Sequence, residues 1–192
     1  MRGHMLRNIT HTRRTVVLAT SVVFCGVLFL GGVSVNFAQS GFGMSKGLPQ
    51  HHQAPDFHLQ MIDGKAVSKS SLNGQPTLMM FWAPWCHVCQ VELPNIHDFH
   101  EAEAVKPHGL QVLSVGFADA KENVVGYIHG HSDVFTFLSA YDVDNIVASD
   151  FKIRATPTFV LLDADGSVRL VHPGAGVLHN PKLLSFVEDL VS

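Results

Sequence analysis

Phe81-Trp82-Ala83-Pro84-Trp85-Cys86-His87-Val88-Cys89 carries two cysteines three positions apart, after an apolar run over residues 78–82 and before a segment of helical spacing. A strand running straight into a helix start leaves unpaired backbone N–H groups and the positive end of the helix dipole at the first cysteine. A thiol there ionises more readily, and the thiolate is the reactive species. The second cysteine, one turn further on, is placed to attack a mixed disulfide formed at the first. That is the minimum apparatus for thiol–disulfide exchange.

Outward from this stretch, strand and helix signals alternate. Thr77–Trp82 is almost wholly apolar, the pattern of a central strand covered on both faces. Residues 86–104 repeat apolar side chains at helical spacing (Cys89, Leu93, Ile96, Phe99), with Pro94 expected to kink the helix. Upstream, Phe57, Leu59 and Met61 alternate with polar residues, and Asp63-Gly64 supplies a hairpin turn. Downstream, residues 110–115 and 158–162 read as strands and 121–129 and 146–151 as helices. Asp163-Ala164-Asp165-Gly166 is a tight turn into a partner strand over 168–171. The last helix is the clearest: Asn180 caps it, Pro181 suits its first position, and Leu183, Phe186, Val187, Leu190 and Val191 form one stripe. The expected fold class is α/β, a central mixed sheet with helices on both faces.

The 192-residue chain has room for one ordinary domain and an appendage. Arg2, Arg7, Arg13 and Arg14 precede a long apolar run in a segment without acids. Everything after residue 35 carries nine Lys/Arg against sixteen Asp/Glu, hence a net charge of −7. No basic patch interleaved with aromatics occurs there, so nucleic-acid binding is unsupported. Residues 15–35 hold no charge, and these 21 residues match the roughly 20 needed to span a bilayer. They exceed the roughly 7–15 of a secretory apolar core. Arg13 and Arg14 at the front edge keep the N-terminus cytoplasmic. The expected organisation is a cytoplasmic N-terminus (1–14), a transmembrane anchor (15–35), a flexible linker (36–53) and an extracytoplasmic domain (54–192). Cleavage near Ala38-Gln39-Ser40, releasing a soluble periplasmic protein, is the rival reading, and Thr12-Arg13-Arg14 also permits a twin-arginine signal.

Three cysteines occur. Cys25 lies inside the apolar run and reads as a small apolar helix residue. The remaining single pair builds no disulfide framework in an exported domain, so it reads as a working redox couple.

Ala54-Pro55-Asp56-Phe57-His58-Leu59, Asp63-Gly64, Leu72-Asn73-Gly74, Trp82-Ala83-Pro84-Trp85-Cys86, Cys89 and Glu92-Leu93-Pro94 fall in one half of the domain. Ala155-Thr156-Pro157-Thr158-Phe159, Asp163 and Asp165-Gly166 fall in the other. In this order and spacing the chain resembles membrane-anchored thioredoxin-like proteins of the TlpA/ResA type, a group that includes the cytochrome c maturation reductases. The resemblance covers residues 54–192 and implies a thioredoxin-like thiol:disulfide oxidoreductase. It needs no cofactor beyond the redox-active Cys86–Cys89 disulfide.

Within that reading Cys86 is the nucleophile and Cys89 the more buried resolving thiol. Glu92, one helical turn beyond Cys89, matches a glutamate that influences thiol titration and proton transfer in this type. The resemblance implies a cis peptide before Pro157, facing the cysteines, with the Thr156 backbone available to pair with a substrate strand. Trp85 reads as active-site rim and Trp82 as packing. His87 and Val88 set the redox poise: an imidazolium beside the thiolate makes the pair more oxidising, and members often carry proline where this chain has Val88. His87 as a plain solvated side chain stays equally open.

The implied partners are protein disulfides, such as those of apocytochrome c or of an oxidase copper-site protein, and a membrane thiol electron donor. The implied location is the bacterial inner membrane with the domain on its outer side. An envelope oxidant or isomerase is the enzymatic alternative, and a copper-binding module using Cys86, Cys89 and nearby histidines the non-enzymatic one. The chain has thirteen histidines, among them His97 with His100, His129 with His131, and His51-His52, yet no full ligand set is visible in the sequence. No metal site is expected.

Overall fold

The computed structural model describes residues 51–104, 106 and 109–190; the expected anchor, with most of the linker, lies outside the described residues. Among the described residues no helix is long and apolar enough to cross a membrane. In chain order the elements are β1 (His58–Met61), β2 (Ala66–Ser68), β3 (Thr77–Trp82), α1 (His87–Ala104), β4 (Gln111–Gly116) and α2 (Lys121–Gly130). There follow β5 (Leu138–Tyr141), α3 (Ile146–Asp150), β6 (Thr158–Leu162), β7 (Val168–Pro173) and α4 (Pro181–Leu190).

One sheet orders the strands β2-β1-β5-β4-β3-β6-β7. β3, β4 and β5 run parallel, while β6 is antiparallel to both β3 and β7, and β1 to both β2 and β5. This is the thioredoxin-like mixed sheet. Every residue of β3 is buried, because alternate side chains feed two separate core layers. Leu78, Met80 and Trp82 pack with Leu93 and Ile96 of α1, Val124 and Ile128 of α2, and Leu183 and Phe186 of α4. Met79 and Phe81 pack on the other face with Phe57, Leu59, Val147, Ala148 and Phe151. The continuous apolar run thus acts as the shared wall of both layers.

Three local features differ from the sequence reading. α1 is assigned without a break through Pro94, an exposed position whose ring cannot donate to the Gln90 carbonyl. β5 was not anticipated: Leu-Ser-Ala-Tyr is short and half composed of weak strand formers, and it becomes a strand between β4 and β1, where Ser114 donates to Ser139 at 3.0 Å. Residues 51–53, read as the end of the linker, pair with the start of β7. The His51 N–H donates to the Val168 carbonyl (2.7 Å) and the Val168 N–H to the His52 carbonyl (2.9 Å).

Candidate active site

Register decides what meets at the carboxyl end of β3. Phe81 pairs with Thr158 of β6, and Thr158 in turn with Pro173 of β7. The residues one step beyond, Trp82 with Ala83, Pro157 with Thr156, and Gly174, therefore lie at the same sheet end as the start of α1. The Thr156–Pro157 peptide is cis.

Cys86 sits immediately before the first residue of α1, in the N-cap position. Its carbonyl accepts the first helical hydrogen bond, from the Gln90 N–H (3.1 Å), and its Sγ accepts the Cys89 N–H at 3.1 Å. This is the bond a serine or aspartate oxygen makes at an ordinary helix start, here directed at sulfur. Cys86 and Cys89 are joined as a disulfide with their Cα atoms 5.2 Å apart. Cys86 is 5% exposed and Cys89 fully buried, so of the two residues only the first reaches solvent. Opening the disulfide leaves the Cys89 N–H and the helix dipole both directed at Cys86, which favours its anion.

The rim is built by backbone carbonyls and glycine-like turns. Trp85 is 62% exposed, and its indole N–H donates to the Ala118 carbonyl (3.0 Å). Ala118 has a left-handed φ of 57° and is held by its own N–H donating to Asn145 Oδ1 (2.7 Å). Asp142, buried behind this turn, accepts the Val147 and Ala148 N–H groups, and burial raises its pKa above the ordinary aspartate value. On the other side the Gln90 side-chain amide donates to the Pro84 carbonyl (2.7 Å), fixing the loop that delivers Cys86. His87 and Val88 are exposed beside the disulfide, Thr156 is half-buried and Pro157 buried. Trp82 is buried between Tyr127 and Phe135, at centroid distances of 5.3 and 5.1 Å.

Glu92 projects one turn past Cys89 on the core-facing side of α1 and is only 8% exposed. Its Oε2 accepts the backbone N–H of Gly176 at 3.1 Å. Beside it a recess of about 620 Å³ runs between α1 and the 175–179 segment, lined by Asn95, Asp98, Phe99 and Leu178 among others. Sequence reasoning did not find Gln90, Asn145, Gly174 or Gly176. The last two carried a signal: two glycines spaced i, i+2 after a strand, both with positive φ.

The histidines are not brought to this site as a set. His97 Nδ1 is 3.1 Å from Thr136 Oγ1, and His131 stacks on Tyr127 with its Nδ1 2.9 Å from that residue's carbonyl. Among the described residues no group of three or more His, Cys, Asp or Glu side chains converges as a metal site would require.

Residues 51–171 match the family model described as AhpC/TSA. The thiol-disulfide oxidoreductase ResA of Oceanobacillus iheyensis is 31% identical over 141 residues, 71% of this chain and 70% of that protein. The thioredoxin-like protein YneN of Bacillus subtilis is 29% identical over 150 residues, 77% of this chain and 85% of its own length. Among solved structures, MTB DsbF in its mixed oxidized and reduced forms superposes with a TM-score of 0.61. It is 26% identical, over 71% of this chain and 98% of that one.

Proposed function

We propose, on the premise that this chain belongs to the AhpC/TSA family, that its Cys86–Cys89 pair works as a dithiol reductase of disulfides in exported proteins. The chain is a ResA-type thioredoxin-like protein and a thiol-disulfide oxidoreductase, and its substrates are protein disulfides. The observation that carries the exchange chemistry is the Cys89 N–H on Cys86 Sγ at the end of the central strand, the same sheet end as the cis Thr156–Pro157 peptide, and the likeness to ResA-type oxidoreductases supports the reductant direction.

In the reduced protein the Cys86 thiolate attacks one sulfur of a client disulfide. The client S–S bond breaks, a Cys86–client disulfide forms, and one client thiolate leaves. Cys89 then gives its proton to Glu92, and its thiolate attacks Cys86 Sγ. The second client thiolate departs as the Cys86–Cys89 bond closes, so two electrons have passed from the pair to the client. A membrane dithiol donor returns them by the same exchange in reverse. Thr156 offers backbone to a client strand, and Trp85 walls the entrance. His87 and Val88, exposed next to the sulfurs, tune the potential. The domain works outside the cytoplasmic membrane, held there by residues 15–35 or released by cleavage. Its clients are of the apocytochrome c or copper-site kind.

Equilibration against a thiol–disulfide buffer tests the reading. A potential near that of thioredoxin, about −270 mV, is expected; one near the strong oxidants, about −120 mV, assigns the chain to disulfide formation and overturns the proposal.

A further inference from the structure

The four residues that end β7 and follow it, Pro173-Gly174-Ala175-Gly176, reach both halves of the site through their backbone. The Gly174 N–H donates to the Pro157 carbonyl at 2.7 Å, and the Gly176 N–H to Glu92 Oε2 at 3.1 Å. Both glycines adopt left-handed φ, 89° and 83°. A Cβ at either would meet nothing within 4 Å, so glycine serves here for backbone conformation and not for space.

One side chain holds this loop from behind. The Nε2 of His172 lies 2.9 Å from the Ala175 carbonyl, which can only accept, so Nε2 donates. Its Nδ1 lies 3.1 Å from Asn180 Nδ2 and accepts from that amide. Both ring nitrogens are thus committed, while the ring leans on Phe159 at 6.4 Å. Asn180 is itself anchored, since its Oδ1 caps α4 through the Lys182 N–H at 3.0 Å. A continuous set of hydrogen bonds therefore runs from the start of α4 through His172 and Ala175 to Gly176 and Glu92.

We propose that His172 is a positioning residue for disulfide exchange: by clamping Ala175 it presents the Gly176 N–H to Glu92 and so fixes that carboxylate relative to Cys89. The inference rests on the proton-accepting role given to Glu92 above. Loss of the clamp lets the two-glycine loop relax, and Glu92 then takes up positions in which its charge acts less on the thiols.

The test compares His172→Phe, His172→Gln, Glu92→Gln and the His172→Phe/Glu92→Gln double variant. Phenylalanine keeps the ring packing on Phe159 and loses both hydrogen bonds; glutamine retains a donor for the Ala175 carbonyl. Asp98 and His179, the other titratable groups on the recess, are unchanged in all of them. The readouts are the pH profile of thiol alkylation in the reduced proteins and the rate of reduction of a protein disulfide. His172→Phe and Glu92→Gln should move the alkylation midpoint in the same, downward direction, since a fixed negative charge near the thiols is weakened or removed. His172→Phe should slow exchange about two- to tenfold, the worth of one hydrogen bond. His172→Gln should stay near the parent, and the double variant should match Glu92→Gln alone.

A His172→Phe shift that persists in the Glu92→Gln background, or an unmoved profile in His172→Phe, overturns the proposal. Asn180→Ser keeps a cap for α4 but withdraws the amide from His172. It serves as a second probe should His172→Phe misfold, with a smaller shift of the same sign expected and no shift counting against the clamp. Failure of the unsubstituted protein to reduce any protein disulfide would instead refute the functional reading, because thiol alkylation needs no client.

Discussion

Replacing Cys89 by alanine should convert the protein into a trap for its clients, and the structure sets how strong a trap. The two sulfurs are bonded, with Cα atoms 5.2 Å apart, so in any mixed disulfide that keeps this loop the Cys89 sulfur is already in contact with its target. Well-oriented intramolecular reactions reach effective molarities of about 10⁵ M and above. Discounting this to only about 1 M, an external thiol at about 1 mM resolves the mixed disulfide roughly 10³-fold more slowly. Activation of Cys86 should survive, because its hydrogen bond comes from the backbone N–H of residue 89 and not from the lost thiol. The reduced variant would be mixed with a single-disulfide protein, quenched with acid, and followed by non-reducing electrophoresis and peptide mapping. A Cys86-linked adduct living at least about 10³ times longer than in the parent is expected. Cys86→Ala should form none, since Cys89 is fully buried. Adducts of equal yield on Cys86→Ala, or parental turnover by Cys89→Ala, would refute the assignment of roles.

Three further predictions concern the scaffold. The His100 ring stands edge-on to Phe137 at 5.7 Å, and burial holds its pKa below the ordinary histidine value, with Glu101 opposing only in part. The unfolded chain therefore binds that proton first as pH falls below about 6.5, and stability present above that pH is lost on acidification toward the lowered native value. His100→Phe should flatten this slope, so its unfolding free energy relative to the parent grows between about pH 7 and pH 5; a pH-independent difference would contradict the assignment. A Cβ at Gly116 would land on Val124 Cγ1, so Gly116→Ala should cost about 1–3 kcal/mol in urea unfolding. The cost should shrink in a Val124→Ala background, and strict additivity would disprove the clash. The buried indole N–H of Trp82 has no hydrogen-bond partner among the described residues. Relief of about 1–3 kcal/mol from removing it offsets the cavity left by phenylalanine, so Trp82→Phe should change stability by under about 1 kcal/mol. Trp82→Ala should lose about 3–5 kcal/mol, and a similar loss for phenylalanine would rule out an unpaired N–H.

What could be read from the sequence was what is encoded within a few residues. β3 shows as a continuous apolar run and α4 as a capped stripe, and the turn Asp163–Gly166 as Asp-x-Asp-Gly; each forms as expected, the turn closing through the Gly166 N–H on the Asp163 carbonyl at 2.9 Å. Cys86 and Cys89 announced themselves by their spacing together with the apolar strand before them and the helical segment after them. β5 did not, because Ser139 and Ala140 become strand residues only through their neighbours on both sides. Asn145 and Ala118 were equally silent: their bond spans 27 positions and depends on two adjoining left-handed turns without glycine. The Gly176–Glu92 bond, between residues 84 positions apart, had only the glycine pair as a local trace.

That difference in range divides the chemistry. The hydrogen bond on Cys86 Sγ comes from the main chain of the residue three positions on, so it exists wherever a helix starts at His87. Substitutions at His87 or Val88 leave it in place and change only the charge and shape around the sulfurs. Under the tuning role proposed for them, those two exposed positions can vary without removing the hydrogen bond on Cys86 Sγ. The partner of Glu92 has no such protection. Its N–H is delivered by a loop whose conformation depends on two glycines, a histidine and the cap of the last helix, so under the role proposed for Glu92, changes far from the cysteines bear on proton transfer. With the role proposed for Glu92, a chain built this way can alter how readily the resolving thiol gives up its proton while keeping the main-chain hydrogen bond on the attacking sulfur.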